Sequence, residues 1–156
     1  MPEEETKGGK YLTFNLGEEI YAIDIRSVTE IVGMQKITEV PESPAFVRGI
    51  MNLRGKIIPL IDMHLKFHKP PAEYTDRTCI VIVQIGPLPV GLIVDIVNEV
   101  AELPDSSISP PPDFRGVSRS RSISGIGRTS DGIRLILDCG RLFEASEVER
   151  LNQMDQ

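Results

Sequence analysis

The sequence predicts an all-β fold of two small five-stranded barrels related by internal duplication, with short helical turns and a C-terminal helix. Three observations carry this expectation: a long internal repeat, apolar residues alternating with period two, and turn residues spaced between short apolar runs. At an offset of 69 residues, YLTFNLGEEIYAIDIRSVTEI (Tyr11 to Ile31) lies over IVIVQIGPLPVGLIVDIVNEV (Ile80 to Val100) without a gap. Gly17 then meets Gly86, Val28 meets Val97 and Glu30 meets Glu99. The offset slips to 68 near Phe46 and Phe114 and grows to 76 beyond them. There Gly49 meets Gly125, Ile57 meets Ile133, Asp62 meets Asp138 and Phe67 meets Phe143. The change places an insertion in the second copy around RGVSRSRS (Arg115 to Ser122). A collinear order of this length, well beyond solenoid periods, is the mark of a duplicated unit.

Each element follows in chain order. Residues 1–10 are polar and read as a flexible tail, with no apolar segment of a signal peptide. In YLTFNL, Leu12, Phe14 and Leu16 alternate with Tyr11, Thr13 and Asn15, the pattern of a half-buried strand. Gly17-Glu18 and Gly86-Pro87 open turns, after which IYAIDI and VGLIVDI run back as second strands. Ser27 is the expected cap of a single helical turn. Pro41, Pro44 and Pro110 to Pro112 mark loops, because proline cannot serve a central strand. Gly49 to Asp62 closes the copy as a hairpin turning at Asn52-Leu53-Arg54-Gly55, and its second-copy mate turns at Asp131-Gly132. Pro59 has no donor for a ladder, so its strand is expected to be an edge or to be bulged. CIVIVQI, apolar on both faces, reads as a strand covered on both sides. SEVERLNQM opens on a serine cap and puts Val148 and Leu151 on one helical face. The expected divisions are a first barrel over 11–67, a linker over 68–78 that includes the polar EYTDRT, a second barrel over 79–143 and a helix over 144–156.

Composition narrows the function. A net charge of -6 opposes general nucleic-acid binding, which needs a basic face to displace counterions. No apolar run approaches the ~20 residues of a membrane helix. Cys79 and Cys139 lie in or beside apolar strands and read as reduced core cysteines, which fits the cytosol. His64 and His68 are spaced like helical zinc ligands, but lack further ligands and read as a solvated pair. The serines of Ser118 to Ser124 lack a nucleophile turn. GIGRTSDG lacks the lysine of a phosphate loop. SRSRS reads as a mobile loop. Asp62 and Asp138 recur at strand ends and read as caps. The expectation is a protein that is not an enzyme and that uses no cofactor or metal.

The two copies also control for each other. Residues that keep the fold should recur, as Gly17, Gly49 and Asp62 do, whereas Arg54 faces Ser130 and Pro59 faces Leu135. Arg54, set on a rigid turn, suits pairing with a partner or bracing within the chain, and simple solvent exposure stays open beside these. Val28, Ile31, Val32, Val97 and Val100 are more apolar residues than their short segments need. They read either as core shared between the barrels or as a groove for an amphipathic helix.

FVRGIMNLRGKIIPLIDM, preceded by YAIDIRSVTEIV and followed by VGLIVDIVNEV, resembles the CheW family of bacterial chemotaxis coupling proteins over roughly Tyr11 to Phe143. The run G-x-x-N-L-R-G-x-x-x-P is specific to such domains, and neither a kinase core nor a receiver domain accompanies it here. The resemblance implies two SH3-like five-stranded barrels and a non-catalytic, cytoplasmic adaptor, monomeric when free and recruited to receptor arrays without inserting into the membrane. The implied partners are the cytoplasmic tips of chemoreceptors and the regulatory domain of the histidine kinase CheA. Receptor and coupling positions of the family fall on Val28, Glu30, Gly49, Arg54, Gly91, Val97 and Val100, and a kinase-contacting loop falls on Asp113 and Phe114. An adaptor for a non-chemotaxis two-component pathway and a small-ligand-binding regulatory barrel are the competing readings.

Overall fold

Each copy begins with a hairpin, and the two hairpins have one register. In the computed structural model, which describes residues 8–111 and 122–154, β1 (Gly9–Leu16) pairs with β2 (Glu19–Asp24), and β6 (Cys79–Ile85) pairs with β7 (Leu88–Val94). Tyr11 faces Asp24 and its mate Ile80 faces Ile93, a correspondence that holds down to the turns. Gly17 and Gly86 open those turns with φ of 63° and 60°, the positive φ that a II′ hairpin needs at its first loop position. The closing hairpins repeat as faithfully. In β4 (Val47–Leu53) and β5 (Lys56–Asp62) the register shifts between Val47 and Gly49. In β10 (Ile123–Thr129) and β11 (Gly132–Leu137) it shifts between Ile123 and Gly125, so the bulge was duplicated with its strands.

The sheets, however, cross the copies. With β3 (Val28–Gly33), β8 (Ile96–Leu103) and β9 (Ile108–Ser109), one sheet has the order β8-β1-β2-β11-β10-β9 and the other β3-β6-β7-β5-β4. The expected division into a first unit over 11–67 and a second over 79–143 therefore does not describe the sheets. The opening hairpin of the first copy joins β8 to β11 of the second, and β3 to β5 of the first join β6 and β7. Two-residue turns hold β1 to β2 and β6 to β7 as hairpins, whereas Ile25–Ser27 and Asp95 turn the chain out of those hairpins, so that β3 pairs with β6 and β8 with β1. The parallel pairings β2–β11 and β5–β7 cannot be made through a tight turn at all. The exchange is itself symmetric: Leu12 pairs with Val100 as Val81 pairs with Ile31.

The strand faces sort into three cores. Leu12, Phe14 and Leu16 meet Val81, Val83 and Ile85 in a joint core between the sheets. The opposite face of β6, Ile80 and Ile82, packs with Met51, Ile58, Leu60 and Ile93 inside the five-stranded sheet. Tyr11, Ala22, Leu103 and Ile136 form a smaller core in the six-stranded sheet. The apolar run CIVIVQI is thus covered on both sides, as its sequence predicts.

Four local expectations need correction. Pro59 lies in β5, an interior strand rather than an edge. Its neighbour Ile50 bonds outward to Thr38 through both backbone groups, so Pro59 sits at a non-bonded pair and its missing N–H points toward β7, just before that ladder begins at Leu60. The second closing hairpin turns at Ser130-Asp131, because Thr129 pairs with Gly132. The turn Ile25–Ser27 is capped by Asp24, which accepts the Arg26 N–H at 2.9 Å, not by Ser27. Helix α2 (Ala145–Met154) starts ahead of Ser146, and Glu147 Oε1 accepts the Glu144 N–H at 2.8 Å in the manner of half a capping box. Leu151, fully buried, and Val148 do seat α2 on the joint core.

Candidate partner-binding surface

Strands β3 and β8, repeat mates, are the outer strands at one side of each sheet. Val28 stands opposite Val83 and Val97 opposite Phe14, and both valines are half-buried against the joint core. Three residues further on, the repeat mates Ile31 and Val100 are 42% and 50% exposed. The structure thus divides the surplus apolar residues: Val28 and Val97 belong at the margin of the core, and Ile31 and Val100 stand in solvent. Sequence reading counted Ile31 only among the surplus; its registration with Val100 at the 69 offset was the signal that could have raised it.

Arg54 sits in a two-residue turn between Leu53 and Lys56 with φ of 52°, followed by Gly55 at 88°. Both central residues being left-handed defines a type I′ turn, and Asn52 Oδ1 steadies it by accepting the Gly55 N–H at 2.9 Å. The guanidinium of Arg54 pairs with the carboxylate of Glu30 on β3. In a flat sheet β3 and β4 would stand four spacings apart, about 19 Å. An ion pair between the β4–β5 turn and β3 therefore requires the sheet to be rolled, with Arg54 and Glu30 meeting across the roll. Glu30, Ile82, Gly91, Leu60 and Gly49 form one cross-strand row of that sheet. Three of the residues singled out by resemblance lie in this row, and Arg54 reaches back over it to Glu30.

Gly49 and Gly91 are buried and shape the sheet rather than its surface. A Cβ on Gly49 would lie 2.3 Å from the Thr38 carbonyl oxygen, where the chain beyond β3 bonds to β4. A Cβ on Gly91 would meet Leu60 Cδ2 at 2.6 Å and Ile80 Cγ2 at 2.8 Å. Asp113 and Phe114 lie outside the described residues. Phe46, the repeat mate of Phe114 at the 68 offset, packs 5.7 Å from Phe143 with Lys66 Nζ 4.6 Å above its own ring, at the margin of the joint core.

The remaining sequence candidates resolve into structural roles. Asp62 caps α1 (Met63–Lys66) by accepting the Leu65 N–H, and takes the Tyr74 hydroxyl at 2.8 Å. Asp138 accepts the Gly140 N–H at 2.9 Å in the turn Cys139–Arg141. Both cysteines are free thiols. The expected solvated histidine pair is corrected: His68 is exposed, but His64 is buried with Nε2 2.9 Å from Asp95. Among the described residues no group of three or more histidine, cysteine or carboxylate side chains is placed to hold a metal.

Fold and surface together define an all-β module of two interleaved copies, with paired edge strands and a rolled sheet latched by an arginine turn. A family model described as "CheW-like domain" matches residues 10–147, and the chain belongs to that family. It is 34% identical over 144 residues to the chemotaxis protein CheW of Klebsiella aerogenes, covering 92% of this chain and 87% of that protein. It is 36% identical over 146 residues to the chemotaxis protein CheW of Treponema pallidum, covering 90% and 85%. The crystal structure of the scaffolding protein TtCheW from Thermoanaerobacter tengcongensis superposes with a TM-score of 0.82 at 39% identity, covering 91% of this chain and 96% of that one.

Proposed function

We propose that this protein is a non-catalytic chemotaxis scaffold that couples the signalling tips of chemoreceptors to the regulatory domain of the kinase CheA and helps to build receptor arrays. The observation that carries the reading is the CheW-like match over residues 10–147, which takes in both outer strands and the Arg54 turn. Val28, Val97 and Val100 offer apolar side chains to a receptor helix, and Glu30 and Arg54 a charged margin beside them. Gly49 and Gly91 act through the sheet that carries the pair. Asp113 and Phe114 are assigned to the kinase by resemblance alone. Among the described residues no helix is long and apolar enough to cross a membrane, which is compatible with a protein recruited to arrays from the cytoplasm. It acts as a monomer until it is recruited.

Capture of a purified receptor signalling tip tests the reading. Val100→Asp places a charge on an exposed position that the core does not need, so folding is retained while capture falls severalfold. Val28→Asp, at the core margin, is the companion variant, with circular dichroism as its folding control. Undiminished capture by folded Val100→Asp and Val28→Asp overturns the assignment of this face to the receptor.

A further inference from the structure

One ionisable cluster, centred on the buried His64, joins the two copies and has no repeat mate. His64, in α1, has Nδ1 3.1 Å from the Pro70 carbonyl oxygen and Nε2 2.9 Å from both carboxylate oxygens of Asp95. Asp95 Oδ2 also accepts the Gly17 N–H at 2.7 Å, and the Asp95 N–H donates to the Asn15 carbonyl at 3.1 Å. The cluster therefore joins three places: the end of the first copy at α1 and Pro70, the β1–β2 turn, and the corner between β7 and β8. At the 76 and 69 offsets the mates of His64 and Asp95 are Gly140 and Arg26, so the other half of the molecule folds without this contact.

Donor arithmetic decides how the ring must bind. A backbone carbonyl accepts only, and an ionised carboxylate accepts only. A neutral imidazole has a single N–H and satisfies one of the two sides, leaving its other nitrogen's lone pair against an acceptor in a buried site. The ring carrying both protons donates to both. We infer that His64 is a proton-operated latch between the copies: doubly protonated, it ties α1 and Pro70 to the Asp95 corner, and loss of a proton frees that corner, which leads two residues on into Val97. Asp95 is the charged group in direct contact. Lys69, just beyond α1, flanks the same Gly17 turn with its Nζ paired to Glu19 of β2. Asp62, at the start of α1, is taken up by the Leu65 N–H and the Tyr74 hydroxyl.

The test follows the imidazole of His64 and the backbone amides of Gly17, Lys69 and Val97 by nuclear magnetic resonance in the full chain, from about pH 5.5 to about pH 8.5, the range in which histidine changes charge. The ring is expected to show two N–H groups at the acid end. The three amides should then shift along the same single titration curve as the ring. In Asp95→Asn the carboxamide can donate to a neutral ring, so the amide shifts should lose that pH dependence. A ring that never carries two protons, or amides that stay still while the ring titrates, overturns the latch. Because the wild-type titration alone can refute it, the test does not depend on the variant folding.

Discussion

Arg54 is where bracing and partner contact can be separated by energetics. Its guanidinium and the Glu30 carboxylate are 68% and 32% exposed, so solvent screens the pair, and deleting it in Arg54→Ala should cost about 0.5–1 kcal/mol. The backbone adds a second, independent term. Arg54 has φ of 52°, where an L-residue with a Cβ is disfavoured by about 1 kcal/mol. Alanine keeps that strain, whereas glycine is released from it. Arg54→Gly should therefore lie within about 0.5 kcal/mol of wild type although the ion pair is lost from both variants. For a chain of this size 1 kcal/mol corresponds to about 2–4 °C in Tm, which calorimetry resolves. A double-mutant cycle with Glu30→Ala isolates the pair: a coupling of about 0.5–1 kcal/mol in low salt, shrinking toward zero near 1 M salt where the Debye length is about 3 Å. Zero coupling in low salt would refute the latch across the rolled sheet, and a loss above about 3 kcal/mol in Arg54→Ala would refute the claim that the pair is a minor brace.

The same variants then report on the partner. If Arg54 and Glu30 serve a receptor only by holding the sheet, each single variant lowers affinity equally and the double variant lowers it no further. If the guanidinium leaves Glu30 for the receptor, Arg54→Ala costs affinity that Glu30→Ala does not. Titration calorimetry against the signalling tip distinguishes these outcomes.

Gly49→Ala should destabilise by about 3 kcal/mol or more in urea unfolding, because its Cβ would press on the Thr38 backbone at 2.3 Å with φ already at 149°. Burial, helped by the nearby Asp138, pushes the Cys139 thiol up to about 12; a thiol reagent at about pH 8 should therefore label it only through unfolding, and Cys79 well before it. Burial and then Glu19 push Tyr21 up to about 12, and burial and then the Asp62 hydrogen bond raise Tyr74 further. Above about pH 10 the unfolded chain loses these phenolic protons first, so stability should fall as pH rises from about 10 through about 12, and an alkaline ultraviolet titration of the folded protein should leave both rings un-ionised until it unfolds.

What could be read from the sequence was whatever is local. The hairpins were legible because Gly17 and Gly86 supply the turn conformation and alternation supplies the register. The core membership of CIVIVQI was legible because both of its faces are apolar. Pairing between distant segments was not. A repeat tells which segments are equivalent, and β3 of one copy has the same chemistry whether it lies beside β1 or beside β6. The errors at Pro59 and His64 share that origin. A proline is excluded from a ladder only on the side its nitrogen faces, and a histidine reads as solvated until the chain brings Asp95 to it from 31 residues away. Of the surface, Arg54 was singled out because its mate is Ser130, but its partner Glu30 recurs as Glu99 and so carried no such mark.

Strand exchange also explains how a duplicated scaffold can become asymmetric without losing its frame. Since each sheet takes strands from both copies, a change in one copy's framework bears on both sheets, which is a physical reason for the hairpin registers to agree residue for residue at the 69 and 76 offsets. Positions outside that frame are under no such constraint. The added residues of the second copy fall between β9 and β10, neighbours in one sheet, so they lengthen a single connection and leave every ladder pairing in place. The Arg54 turn, with its exchange of arginine for serine at Ser130, and the His64–Asp95 contact, with mates Gly140 and Arg26, likewise sit at turns and corners. Differences in turn chemistry, connection length and cross-copy contacts thus lie where strands end, where they alter the surface without disturbing a ladder pairing.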